Sequence, residues 1–302
     1  MNSKAPHIVQ YQGSKRKLAP QILQYMPAHF DRLIEPFSGM AAISIASAIE
    51  HRSDSFYIND INAPLVCLIQ EAVENPERLI HDYSIVWNEQ FLFKDEHIQH
   101  YYIIRERFNH GEQAPAHLLY LLARCVKGAV RYGKNGNFNQ SPDKRRHGTA
   151  PKTLQKNVYA ISQLLKGKTQ FSALDYHEVL DMAQPGDLIY MDPPYQGVTD
   201  ARDNRYLSGV SFDEFVRALE SLTKRRIDYL VSYDGECGGK AYGEELPKSL
   251  DCTKITLNAG LSTQAILLGK ASTTFESLYV SNSLMQSNSF VPKQISFSEV
   301  FA

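Results

Sequence analysis

The sequence is short of several features that would fix its chemistry at once. Its four cysteines, Cys67, Cys125, Cys237 and Cys252, show neither C-x-x-C spacing nor a cysteine–histidine cluster, so neither a disulfide nor a zinc site is expected. His97 and His100 in "HIQH" can share a helix face but have no further ligands nearby in sequence, and no metal is expected there either. No run approaches the ~18 apolar residues of a membrane helix. The start, "MNSKAPHIVQYQGSKRKL", has no apolar signal core, so a cytoplasmic protein without a membrane partner is the expectation. There is no G-x-x-x-x-G-K-[ST] phosphate loop, and "FSGM" lacks the full G-x-G-x-x-G of a dinucleotide fold. Internal repeats and low-complexity tracts are absent as well.

What is present is a globular composition: 302 residues, 43% hydrophobic and 22% charged, enough to bury the core of one large domain or two smaller ones. The net charge of −1 hides an uneven distribution. Between Arg124 and Lys156 stand nine Lys/Arg against one acid, Asp143. A local excess of that sign suits a polyanionic partner.

The patterning alternates strand and helix. "RLIEPF" (32–37) reads as a buried strand, "SGMAAISIASAIE" (38–50) as a helix opened by Ser38, "SFYINDIN" (55–62) as a second strand and "APLVCLIQEAVEN" (63–75) as a second helix. This is a βαβ unit and implies a parallel sheet. The stretch from 76 to 152 is aromatic and helical, then becomes "RYGKNGNFNQSPDKRRHG", with Asn135-Gly136 as a hairpin-turn signal. Alternation resumes with a helix at "TLQKNVYAISQLLKG", strands at "TQFSAL" and "DLIYMD", a helix at 212–225 and a strand at 228–234. "CTKITLN" and "FESLYVSN" then read as antiparallel edge strands. An α/β fold follows, with residues 1–75 and 153–302 forming the main domain and 76–152 an insertion.

In open α/β sheets ligands sit at the carboxyl ends of strands. Three acids occupy such ends: Glu35 in "EPFSGM", Asp60 in "YINDIN" and Asp192 in "DPPY". An acid after the second strand is placed to bind ribose hydroxyls. With no phosphate loop, a ligand carrying adenosine without phosphates fits better, and S-adenosylmethionine is the obvious one, although composition alone does not name it.

The tetrapeptide Asp192-Pro193-Pro194-Tyr195 makes an extended, rigid exit from a strand, because proline disfavours αR in the residue before it and has no N–H. The Asp192 carboxylate and the Pro193 carbonyl can then accept both hydrogens of one amino group. That arrangement suits the exocyclic amine of a nucleobase. Two acceptors draw the nitrogen towards tetrahedral geometry and stabilise the positive charge it gains on attacking a methyl sulfonium. Tyr195 offers a face for base stacking.

These motifs and their order resemble the Dam-like, alpha-group (D12 class) DNA adenine-N6 methyltransferases over nearly the whole chain. The resemblance implies a Rossmann-like S-adenosylmethionine-dependent sheet with an inserted, mainly helical target-recognition domain carrying a β-hairpin. In "YQGSKRKL" (11–18) it implies that Tyr11 packs on the cofactor and Lys15 approaches its carboxylate end. In "EPFSGMAA" (35–42) Phe37 and Gly39 line the cofactor pocket beside Glu35. Asp60 is implied to bind the ribose, Asp175 of "FSALDY" the cofactor adenine, and Asp192 to Tyr195 form the catalytic motif. "RYGKNGNFNQSP" is similar to the recognition-region pattern R-x-x-x-x-G-x-F-N-x-x-P.

The implied activity is site-specific methylation of N6 of a flipped adenine in double-stranded DNA, by an orphan enzyme or one of a restriction–modification system. A cognate endonuclease would then act without a stable complex, and the methyltransferase is expected to be monomeric in solution. Arg124, Lys134, Lys144, Arg145 and Arg146 are candidates for backbone phosphates, Asn135, Asn137 and Asn139 (with Gln140) for adenine edges, and Arg131 for guanine. The loop 196–209, with Tyr206, is long enough to close over a flipped base. D/N-P-P-Y also occurs in enzymes acting on RNA bases, cytosine N4 and protein glutamine. An RNA-base methyltransferase and a non-catalytic DNA-binding protein of the same fold therefore stand as alternatives.

Overall fold

A computed structural model describes residues 5–93, 97–194, 210–237, 240–242, 244–261 and 273–287. The chain begins with a 3-10 turn at Lys15–Lys17 and a short helix α1 (Ala19–Ile22), followed by β1 (Arg32–Glu35), α2 (Ala42–Ile49), β2 (Phe56–Asn59), α3 (Ala63–Glu74) and α4 (Pro76–Glu89). After α5 (His97–Asn109) and α6 (Pro115–Arg124) it runs through an irregular basic stretch to α7 (Pro151–Leu165), β3 (Thr169–Ser172), α8 (Tyr176–Asp181) and β4 (Asp187–Met191). It closes with α9 (Phe212–Lys224), β5 (Asp228–Cys237), β6 (Lys240–Tyr242), β7 (Cys252–Leu261), β8 (Thr273–Ser281) and α10 (Asn282–Ser287).

The sheet runs β3-β2-β1-β4-β5-β8-β7, with β6 added to the end of β5. The first five strands of that order are parallel, and β8 pairs antiparallel with both β5 and β7. The order reverses between β1 and β4, the switch point at which doubly wound sheets open a crevice. Every residue of β4 is buried, as a central parallel strand covered on both faces must be. Its side chains alternate: Leu188 and Tyr190 join the core under α1–α7, while Ile189 and Met191 join the core under α8 and α9. At the other end of the strand, Arg32 grips Asp187 bidentately (3.0 and 2.7 Å) and pins the β1–β4 register.

The helices follow from their apolar spacing. In α7, Leu154, Val158, Ile161 and Leu165 are buried; in α9, Phe215, Leu219 and Leu222 face the sheet, with Asp213 and Glu214 in the first turn and Lys224 in the last. Residues 76–152 pack α4 and α6 onto α3 and α7, within the same hydrophobic cluster as Leu33 and Phe56.

Three expectations change. The helix expected from Ser38 starts at Ala42, because Gly39 (φ 50°) and Ala41 (φ 52°) first make a left-handed turn. "FESLYVSN" is not an edge strand: β8 lies between β5 and β7, and Leu278 to Ser281 are all buried. Helices α1, α8 and α10 and strand β6 are additions to the elements read from the sequence.

Candidate active site

The carboxyl ends of β1, β2 and β4 and the loop after β3 surround a cavity of about 420 Å³, within the ~300–1,000 Å³ usual for small-molecule sites. It is lined by Tyr11, Lys15, Glu35, Phe37, Gly39, Asp60, Asp175, Asp192, Pro193 and Pro194, among others. All the residues expected to hold a cofactor, and three of the four catalytic ones, thus meet in one place. Tyr195 and the loop 196–209 with Tyr206 lie outside the described residues.

Glu35 turns back from β1 onto the first turn of α2 and accepts a hydrogen bond from the Ser44 N–H at 2.7 Å. Burial raises its pKa to about 7, against the lowering effect of Ser44. Asp60, following β2, accepts from the Gly39 N–H and the Asn62 N–H, each at 3.0 Å. Burial raises it to about 6. Gly39 suits this place: its φ of 50° is one that side chains disfavour, and an added Cβ would meet the Tyr11 ring at 3.3 Å. Phe37 stacks obliquely against Tyr176, ring centroids 5.1 Å apart.

Asp175 is the N-cap of α8, its carboxylate accepting from the His177 N–H at 2.9 Å in a capping box with Glu178. It borders the cavity while its carboxylate already serves the helix. Lys15, expected at the carboxylate end of a cofactor, is 7% exposed and bound to Asp192 Oδ1 at 2.8 Å and Glu276 Oε2 at 3.3 Å.

Sequence reasoning passed over three residues that build this site. Asn59, fully buried, donates to the carbonyls of Pro36 and Leu174 and accepts from the Leu174 N–H and the Ser172 hydroxyl, so one amide ties the ends of β1, β2 and β3. Asn62 caps α3 and accepts from the Tyr132 hydroxyl at 3.1 Å. Glu276 reaches the site from β8. "NDIN" contains both asparagines, but only its acid advertised a ligand.

The basic stretch forms the expected hairpin as an irregular one. Tyr132 and Phe138 bridge, Gly136 donates to the Gly133 carbonyl at 2.9 Å, and Gly133 donates to that of Asn137 at 2.7 Å. Tyr132 and Phe138 point inward, whereas Arg131, Lys134, Asn135, Asn137 and Asn139 are exposed, as are Lys144, Arg145 and Arg146. Asn109 holds the hairpin through both backbone groups of Phe138 (2.8 and 3.2 Å). Arg124 is a correction. It is fully buried and donates to Gln90 Oε1 at 2.9 Å and the Arg146 carbonyl at 2.5 Å, so it braces the basic loop from beneath instead of facing DNA.

Among the described residues no cluster of three or more His, Cys, Asp or Glu is placed to hold a metal ion, and His100 is engaged by Tyr120 at 3.0 Å. No helix among them is long and apolar enough to cross a membrane.

Residues 11–287 match the family model of D12 class N6 adenine-specific DNA methyltransferases. The chain belongs to this family. Among curated relatives of this D12 chain, a retron Ec67 DNA adenine methylase of Escherichia coli is 28% identical over 195 residues, 63% of this chain and 64% of that protein. The type II methyltransferase M1.LlaDCHI of Lactococcus lactis subsp. cremoris is 26% identical over 257 residues, 80% and 84% of the two chains. A DNA adenine methylase of Serratia marcescens is 26% identical over 190 residues, covering 62% and 66%. The match thus spans just under two thirds of the Escherichia and Serratia proteins and most of the Lactococcus one.

Proposed function

We propose that this D12 chain transfers a methyl group from S-adenosylmethionine to N6 of a flipped adenine in double-stranded DNA, as a restriction–modification or orphan methylase. The observation that carries the reading is the convergence of the Asp192-Pro193-Pro194 exit of β4 with Glu35, Asp60, Phe37 and Tyr11 on one cavity.

The cavity's own chemistry fits the methyl donor. Ser38 Oγ and Tyr176 OH are buried without a partner among the described residues and both residues line the cavity, so donors and acceptors await a polar ligand. Glu35 and Asp60 are carboxylates whose burial disfavours their charge, an imbalance that hydroxyls or an ammonium relieve. Phe37 and Tyr176 give the flat apolar wall an adenine needs. S-adenosylmethionine, when bound, supplies an electrophilic methyl sulfonium.

The chain's residues do the rest. Asp192 and the Pro193 carbonyl accept from the adenine amino group, orient its lone pair and stabilise the positive charge it gains. The prolines hold both acceptors in one geometry. Arg131 and the hairpin asparagines address base edges, and Lys134, Lys144, Arg145 and Arg146 the phosphates. A base must leave the stack to reach the cavity.

Incubation of the purified protein with labelled S-adenosylmethionine and either unmethylated duplex DNA or structured RNA is the test. Label in N6-methyladenine of the DNA supports the reading; label in RNA alone, or in neither, overturns it. Asp192→Ala is expected to reduce transfer about 10²- to 10³-fold, by analogy with loss of a transition-state stabiliser, while S-adenosylmethionine still binds by calorimetry.

A further inference from the structure

The Lys15 ammonium is shared by two carboxylates, Asp192 and Glu276. Asp192 has its task in the proposed chemistry; Glu276 has none. It belongs to β8, which lies beyond β5 from β4, and two features of β5 bring it to the site. Between the pairs Ser232–Leu278 and Gly235–Glu276, β5 has one residue more than β8, a bulge that twists a strand end and re-aims its side chains. The residue opposite Glu276 is Gly235, where a Cβ would lie 2.7 Å from the Phe275 carbonyl oxygen. Any side chain there would push β8 away.

Charge explains why a second acid matters. One ammonium against one carboxylate is a neutral pair, but against two it leaves a trio with one net negative charge. The adenine nitrogen gains positive charge as it attacks the methyl group, and a fixed negative charge beside it stabilises that state. Lys15 is 7% exposed and Glu276 22%, so their charges act with little solvent between them.

We propose that Glu276 is a positioning residue for methyl transfer: by sharing Lys15 with Asp192, it holds the ammonium in the buried site and leaves Asp192 its negative character for the amine. No bond forms or breaks at Glu276. The inference rests on the methyl-transfer reading above.

Single-turnover transfer to duplex DNA, S-adenosylhomocysteine affinity and thermal midpoint are measured for the wild type, Glu276→Gln, Glu276→Asp, Lys15→Met and the Lys15→Met/Glu276→Gln double variant. Glu276→Gln is expected to slow transfer about 10- to 100-fold, less than the ~10²–10³ of a direct transition-state contact because it acts through Lys15, with S-adenosylhomocysteine affinity within threefold of wild type. Glu276→Asp restores part of the rate. In the Lys15→Met background, Glu276→Gln has at most a twofold effect, since the two residues act as a unit. An undiminished rate in Glu276→Gln overturns the proposal, as does a loss that is equal in both backgrounds or that tracks lost cofactor affinity and stability. A wild type that methylates no adenine overturns the proposed function and this inference with it, whereas an active wild type with an equally active Glu276→Gln removes only the role of Glu276.

Discussion

Glu35 and Asp60 hold their protons more tightly in the fold than in the unfolded chain, where carboxyls ionise near 4.5 and 3.8. The sign of the linkage follows. Below those values both states are neutral and nothing is lost; as pH rises, the unfolded chain ionises first, so stability falls until the folded groups ionise at about 7 and about 6. For Glu35 the shift corresponds to roughly 3 kcal/mol. Glu35→Gln keeps an acceptor for the Ser44 N–H but carries no charge. Its thermal midpoint in the ligand-free protein is expected to exceed that of the wild type by several degrees at pH 8 and to match it at pH 4. Equal midpoints at both pH values would remove the argument. At this scale the acids were legible in the sequence because each follows an apolar strand. Glu276 was not, since its partner Lys15 is 261 positions away and only the β5–β8 register unites them.

The hairpin and the wall of the cavity are joined by one side chain. Tyr132 donates to Asn62, whose N–H binds Asp60, whose other oxygen takes the Gly39 N–H. An element whose exposed residues are proposed to meet DNA therefore leans on the turn between β2 and α3. Tyr132→Phe removes about 1 kcal/mol of hydrogen bonding from that contact and is expected to weaken S-adenosylmethionine binding about fivefold in calorimetry, with the exposed Arg131 untouched. Unaltered affinity would show that the turn stands without the hairpin. Strands and long helices were readable from periodicity. The Ser38–Ala41 turn was not, because Ser38 reads as a helix cap although positive φ at Gly39 and Ala41 delays the helix. The place of β8 is not legible from strand order, because antiparallel strands late in a chain suggest an edge, while its unbroken buried run Leu278–Ser281 marks an interior strand.

Across the molecule, a net charge of −1 coexists with a basic strip whose Lys144, Arg145 and Arg146 are exposed. Attraction to the proposed DNA substrate is then expected to be local and screened by salt. Replacing Lys144 and Arg145 with Ala is expected to lower the slope of log affinity against log salt by about 2 for duplex DNA, uniformly across sequences; an unchanged slope in a titration from low to moderate salt would place the phosphates elsewhere. Arg124 shows why composition overstated this strip: a charge count does not see that its guanidinium is enclosed by Gln90 and the Arg146 carbonyl.

The trio at Lys15 joins residues 15, 192 and 276, near the beginning, past the middle and near the end of the chain. A chain emerging from the ribosome contains Asp192 and its prolines long before β8 exists. Until β8 has emerged and paired with β5, the lysine has only one of its two acids, so the full arrangement of charge belongs to the finished molecule alone. Synthesis order thus keeps the complete charge trio from any partly made chain.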